Sequence, residues 1–120
     1  METVVVIGAS NNPERYSNKA IKMLLEYGHQ PIPVAPALRE VEGIAAFASP
    51  TEVLGPVDTV TLYVGPARQA ELLDGIVALQ PRRVIFNPGT ENAQAYARLD
   101  AAGIEHLEAC TLVLLRTKQF

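Results

Sequence analysis

Residues 4–10 read Val4-Val5-Val6-Ile7-Gly8-Ala9-Ser10. Four β-branched side chains in a row, with no polar residue between them, predict a strand buried on both faces. Parallel sheets covered by helices on either side produce this pattern. The run empties onto the small residues Gly8, Ala9 and Ser10, and a helix-like segment follows. A buried strand that ends in such a turn at a helix N-terminus aims backbone amides at an anion, so phosphate is the expected ligand class.

Strand-like and helix-like segments alternate through the rest of the chain. Thr3–Ile7 is the first strand. Asn18–Tyr27 carries Ala20, Ile21, Leu24 and Leu25 at helical spacing, with Ser17 or Asn18 as its cap and Gly28 as its stop. Gln30–Val34 is a second strand; its two prolines remove ladder donors and place it away from the sheet centre. Residues 35–48 read as loop, with a short strand at most near Ala45–Phe47. Ser49-Pro50-Thr51-Glu52 is a capping box with proline at the first helical position. Thr59–Val64, Arg83–Phe86 and Ile104–Leu107 are strands. Pro66–Leu79 and Asn92–Ala102 are helices, and Thr111–Leu115 is too short to assign. This order predicts an α/β fold, a doubly wound and mostly parallel sheet with helices on both faces.

Composition narrows the class. The chain has 120 residues, 48% of them hydrophobic and 19% charged, and a formal net charge of −3. One globular domain over 1–120 is expected, large enough to bury roughly two-thirds of its unfolded surface. The mild acidity gives no basic face for nucleic acid. No apolar run approaches the roughly 20 residues that cross a bilayer, and residues 1–8 lack the pattern of a signal peptide. A single cysteine, Cys110, excludes an intrachain disulfide and suits a reducing compartment. A cytoplasmic location is expected.

In doubly wound sheets, ligands bind beyond the C-terminal strand ends where strand order reverses. The informative residues are therefore 8–18, 35–39, 64–66 and 87–92. The first turn, Gly8 to Ser17, is neither a G-x-G-x-x-G nor a Walker loop. Gly8 lets backbone approach a ligand, Ser10 offers a hydroxyl and an N–H, and Lys19 adds charge at the helix start. Gly, Asn, Pro and Ser are also what any connecting loop uses. After the second strand no acid precedes Glu40, which disfavours NAD, whose ribose hydroxyls call for a carboxylate there. The nearest charge is Arg39, and a guanidinium suits a phosphorylated ribose. NADP and coenzyme A both stay open; Arg39 paired with Glu40 or Glu42 in solvent is the plainer alternative. Asn87-Pro88-Gly89-Thr90-Glu91-Asn92 forms another strand-end turn, with Thr90 as a possible cap and amides expected to face the same crevice.

Together, Val5-Val6-Ile7-Gly8-Ala9-Ser10 with Asn12-Pro13, Pro31-Ile32-Pro33-Val34-Ala35-Pro36, and Asn87 to Asn92 resemble the small stand-alone CoA-binding proteins. These are relatives of the CoA-binding part of the succinyl-CoA synthetase α subunit. The resemblance spans 1–115 and rests on the order of the three motifs. It implies a Rossmann-like fold whose ligand is coenzyme A or an acyl-CoA. It implies that Gly8, Ala9 and Ser10 meet the diphosphate, with Arg15 and Lys19 as helpers. Pro36 and Arg39 would sit by the adenosine and its 3′-phosphate, Val64 and Pro66 would border the nucleotide, and Asn87, Pro88 and Gly89 would face the pantetheine. One departure is plain: the family often has Asn-Pro-Lys where this chain has Ala35-Pro36-Ala37, so only Arg39 is left for the 3′-phosphate.

No catalytic set is legible. Cys110 can exchange with a CoA thiol if it lies near the site, which would make a CoA-disulfide redox sensor, but most such cysteines are buried and inert. His29 precedes the second strand and lies on the wrong side of the sheet. His106 is four residues from Cys110, a spacing that does not itself make a dyad. No metal-ligand cluster is present. The expectation is binding without chemistry. An NADP- or other nucleotide-dependent enzyme or regulatory domain is the alternative, and a Rossmann-like domain reduced to protein interaction is another.

Overall fold

A computed structural model describes residues 1–120. Strands β1 (Thr3–Ile7), β2 (Gln30–Val34), β5 (Thr59–Leu62), β6 (Arg83–Phe86) and β7 (Glu105–Glu108) form one sheet in the order β2-β1-β5-β6-β7. Every neighbouring pair in it is parallel. The chain passes from β1 to β2 on one side and then returns to place β5 on the other. The order therefore reverses between β1 and β5. Helices α1 (Tyr16–Glu26) and α5 (Thr111–Arg116) cover one face; α3 (Leu73–Leu79) and α4 (Ala93–Ala101) cover the other. This is the expected doubly wound, Rossmann-like α/β architecture.

β1 shows why its sequence is an unbroken apolar run. Val5 and Ile7 point into the larger core with Ile76, Phe86 and Leu99. Val4 and Val6 point into the smaller core with Ile21, Leu24 and Leu115. Both faces of the strand are thus away from water. The register Val4↔Thr59 and Val6↔Thr61 puts Thr59 and Thr61 on the second face, where they are fully buried. That face needs polar partners, and it has them. Arg83 Nε donates to Thr59 Oγ1 at 2.9 Å, and Thr61 and Thr111 share a hydroxyl–hydroxyl bond of 2.8 Å.

β2 is an edge strand, as its prolines predict. Backbone bonds show which side they face. Gln30 N–H donates to Glu2 and Val34 C=O accepts from Gly8, both toward β1. Odd-numbered residues turn the other way: Pro33 C=O accepts from Phe47 N–H, and Ala35 N–H donates to Phe47 C=O. Pro31 and Pro33 thus lack donors only on the outer side, where no strand runs alongside beyond the single bridge Val34↔Phe47.

The structure corrects several boundaries. Helix α1 starts two residues early, at Tyr16; Arg15 is its N-cap and makes no side-chain cap bond. Ser17 and Asn18 therefore do not cap; they are buried in the first turn. The segment read as one helix over 66–79 is α2 (Pro66–Gln69), a turn, and α3. The break lies where Gln69 turns inward to bond the backbone of Val64 and Thr90. Within 35–48 lies a hairpin of β3 (Glu40–Val41) and β4 (Ile44–Ala45). Its two-residue turn, Glu42-Gly43, has φ 52° and 77° at its two residues, as tight hairpin turns require. The capping box does not close: Ser49 Oγ accepts from Thr51 N–H, Glu52 makes no side-chain bond back to Ser49, and the segment is only a 3-10 turn, Pro50–Glu52. Gly75 lets α3 sit on that turn, since a Cβ there would lie 3.1 Å from Thr51 Cγ2. The ambiguous segment after Cys110 is helical, and Asn92 rather than Thr90 caps α4.

One buried amide joins three of these elements. Asn87 Nδ2 donates to Thr61 Oγ1 at 2.6 Å and to Leu62 C=O at 2.9 Å. Its Oδ1 accepts the first N–H of α5, from Thr111, at 2.9 Å. Asn87→Ala should therefore lower stability by about 2–4 kcal/mol, because it strands buried donors and acceptors as well as removing bonds. Urea denaturation followed by circular dichroism checks this; a loss below about 1 kcal/mol would show that water replaces the amide.

Candidate functional site

A cleft of about 880 Å³ opens at the C-terminal ends of β1, β2, β5 and β6. It straddles the reversal of strand order, where such sheets bind ligands, and its size falls within the usual range of about 300–1,000 Å³ for small-molecule sites. Eight of the twelve residues anticipated from sequence line it: Gly8, Ala9, Ser10, Arg15, Pro36, Val64, Pro88 and Gly89. Lys19, Arg39, Pro66 and Asn87 do not. Lys19 is exposed, with Nζ 5.5 Å from the centre of the Tyr16 ring. Arg39 is exposed beside the β3–β4 hairpin. Pro66 starts α2 with its ring in solvent. Asn87 is buried in the polar seam described above, so its amide serves the fold.

Gly8 sits at φ +90°, and a Cβ there would lie 3.1 Å from the carbonyl carbon of Tyr63 and from Val64 Cγ1. Only glycine lets β1 turn this close to β5. The amides of Gly8 and Ala9 are not available to a ligand, since both donate to Val34 C=O at 3.0 and 3.2 Å. The next two amides, of Ser10 and Asn11, make no bond within the protein. Ser10 Oγ accepts from Asn12 N–H at 3.0 Å, and Asn12 Oδ1 accepts from Glu14 N–H at 2.9 Å. The loop is thus folded by its own side chains, and the Ser10 proton stays free to donate. Asn18 Nδ2 anchors it from below through Ser10 C=O at 2.9 Å.

Helix α1 then begins with no side-chain cap and no acidic residue in its first turn. The amides of Tyr16, Ser17 and Asn18 have no acceptor, as the first N–H groups of a helix never do within the helix itself. Tyr16 and Ser17 line the cleft beside Arg15. With Ser10 and Asn11 they form a cluster of free donors at the positive end of a helix dipole.

The wall beyond β6 differs from its expected role. Gly89 N–H donates to Glu91 Oε1 at 2.9 Å and Thr90 N–H to Asn87 C=O at 3.0 Å, so these amides do not face the crevice as donors. This wall offers surface. Gln69 holds it in place: fully buried, its Nε2 donates to Val64 C=O at 3.0 Å and to Thr90 C=O at 2.8 Å, and its Oε1 accepts from Asn92 at 3.0 Å. Sequence reasoning missed Gln69 and also Tyr63, Arg68 and Glu71, which line the cleft. Arg68 was within reach, since it lies in the first turn of the helix that follows a strand end.

Burial pushes the Tyr63 phenol up from 10.0 to about 12; the Thr111 and Thr61 hydroxyls temper that rise and Cys110 adds to it. Those two hydroxyls are bonded to each other, and the Tyr63 hydroxyl itself has no hydrogen-bond partner. Cys110 is half-buried at the start of α5 and does not line the cleft. His106 Nε2 lies 2.9 Å from Asp100 Oδ1 and its ring stacks on Tyr96, with no bond to Cys110. His29 Nδ1 accepts from Glu2 N–H at the opposite end of the sheet. No cluster of three or more His, Cys, Asp or Glu is placed to hold a metal. No helix is long and apolar enough to cross a membrane.

A sequence model of a family described as a CoA binding domain matches residues 2–116. The chain is 32% identical over 104 residues to the uncharacterized protein YneT of Bacillus subtilis, covering 83% of this chain and 74% of that protein. It is 39% identical over 62 residues to the α subunit of the ADP-forming acetate–CoA ligase II of Pyrococcus furiosus, covering 51% of this chain and 14% of that much longer subunit. Among solved structures, the crystal structure of an uncharacterized protein superposes with a TM-score of 0.95 at 40% identity, covering 100% of this chain and 98% of that one.

Two substitutions test the geometry. Gly8→Ala should cost about 2–3 kcal/mol from the positive φ and the contact with Tyr63, read as a fall in the urea midpoint. Tyr63→Phe should change stability at neutral pH by less than about 1 kcal/mol, because the lost hydroxyl has no partner. At alkaline pH its effect has a definite sign. The unfolded phenol ionises near 10 and the folded one at about 12. Its contribution is full below about pH 10 and is lost as pH rises toward about 12. Partial burial and then the bond to Glu108 raise Tyr96 to about 12 as well. Urea midpoints taken up to about pH 12 should therefore fall less steeply in Tyr63→Phe than in the parent, with the part due to Tyr96 remaining.

Proposed function

We propose that this chain, which belongs to the CoA-binding domain family, holds coenzyme A or an acyl-CoA in the strand-end cleft and performs no chemistry on it. The observation that carries this reading is the uncapped start of α1, whose free amides open into the cleft between two cationic side chains. Arg15 reaches it from the loop after β1 and Arg68 from α2, after β5. A diphosphate is a dianion whose oxygens match such a donor cluster.

On this reading the diphosphate lies over Ser10 and the α1 N-terminus. Gly8 and Ala9 keep the floor low enough for it to approach, without donating. The nucleoside lies over the end of β2, against Ala35, Pro36 and Leu38, an apolar bed for a purine. The pantetheine arm runs past Val64, Pro88 and Gly89, which Gln69 locks in place. The cysteine and both histidines lie outside the cleft. The exposed position of Arg39 withdraws the feature that suited a phosphorylated ribose, of NADP and of CoA alike, since no other cation follows β2 before Arg68.

Calorimetric titration with CoA tests the reading: saturable heat is expected at micromolar to millimolar ligand, and none at millimolar ligand overturns it. Arg15→Ala and Arg68→Ala should each weaken CoA by about 2–5-fold, the range for solvent-exposed charge pairs. Both variants should retain the parent's urea midpoint and show a shallower loss of affinity with added salt.

A further inference from the structure

The two ends of the cleft differ in charge, and that difference bears on which nucleotide fits. Both cations of the cleft lie away from β2, Arg15 in the loop after β1 and Arg68 in α2, after β5. The end beyond β2 is lined by Ala35, Pro36, Leu38, Ala48 and Ser49. Four of these have no polar side-chain atom. The fifth, Ser49, already uses its hydroxyl in the 3-10 turn, accepting from Thr51 N–H at 3.2 Å and bonded to Thr51 Oγ1 at 2.9 Å.

Residues 35–48 contain one cation, Arg39, and two acids, Glu40 and Glu42. Arg39 faces solvent outside the cleft. The hairpin is tied to the first loop through a backbone carbonyl and to α1 through Glu42. Asn11 Nδ2 donates to Glu40 C=O at 3.1 Å, and Asn18 Nδ2 lies 3.4 Å from Glu42 Oε2. A phosphate on the ribose would find no guanidinium or ammonium among the residues that line this end. Strand-end sites that accept a phosphorylated ribose place an arginine at this position.

We infer that the nucleoside end of this cleft, formed by Ala35, Pro36 and Leu38, takes an adenosine diphosphate ester whose ribose bears no phosphate, so that the chain does not select CoA over its 3′-dephospho form. The inference rests on the reading of the cleft as a CoA-type site. A built phosphate pocket, with a bidentate arginine, would make CoA at least about tenfold tighter. Charges exposed to solvent change affinity by no more than about fivefold.

The experiment is calorimetric titration of the full chain with CoA and with 3′-dephospho-CoA in the same low-salt buffer. Dissociation constants within about fivefold of each other, or a tighter dephospho form, support the inference; the threshold is the ceiling for exposed charges. A preference for CoA beyond that ratio overturns it while leaving the CoA-type site intact. Silence toward both ligands overturns the site and the inference together. Arg39→Ala supplies a second readout. An unchanged ratio of the two affinities supports the inference, and a loss confined to CoA overturns it by returning Arg39 to the ribose phosphate.

Discussion

The buried side-chain amide of Asn87 is the bond on which the arrangement of this fold turns. Parallel sheets bring their C-terminal ends to one side, and each chain leaving a strand there exposes polar backbone that must find partners. Asn87 meets that need for two segments at once, accepting from the first amide of α5 and donating to the hydroxyl of Thr61 and the carbonyl of Leu62 in β5. Gln69 does the same one loop away, tying the ends of β5 and β6 to the cap of α4. Two neutral amides, both shielded from water, thus hold one side of the cleft rigid without placing a charge in it.

That economy explains the polarity of the site. Where the fold has satisfied the backbone internally, as at Gly8, Ala9, Gly89 and Thr90, the cleft presents shape. Where it has not, at Ser10, Asn11 and the first turn of α1, the cleft presents donors. The free donors therefore gather at one corner. The rest of the surface is left to apolar contact and to the two arginines, with Glu71 as the opposing charge.

The fold was legible because its central strands are buried on both faces. Val4 to Ile7 and Arg83 to Phe86 have no solvent side, so their sequences read as strands with correct boundaries at Ile7 and Phe86. Short elements were harder, because tertiary contacts rather than local pattern create them. The break between α2 and α3 depends on Gln69 reaching across to Val64 and Thr90, which no periodicity reports. The β3–β4 hairpin has only two residues in each strand. In the site, small residues at strand ends could be read from the chain because any ligand approach needs them. Orientation could not. Asn87 and Arg39 sit at the expected positions in the chain, yet one is turned into the core and the other out to solvent. Sequence places a residue after a strand but does not say which way its side chain points.

The prolines of β2 have a consequence for how copies of this chain meet. An open parallel sheet has two rims, and each invites a further strand from a neighbour. On the β2 rim the outward positions 31 and 33 carry no N–H, and Phe47 already occupies the carbonyl of Pro33 and the amide of Ala35. On the β7 rim, Glu105 and Glu108 are exposed, and two such rims brought together would set acid against acid. Continuing the sheet from one molecule into the next is therefore hindered at both ends, by missing donors at one and by repulsion at the other. The five-stranded sheet is closed to extension without being closed into a barrel, which leaves the strand-end cleft as the surface where this fold is open to company.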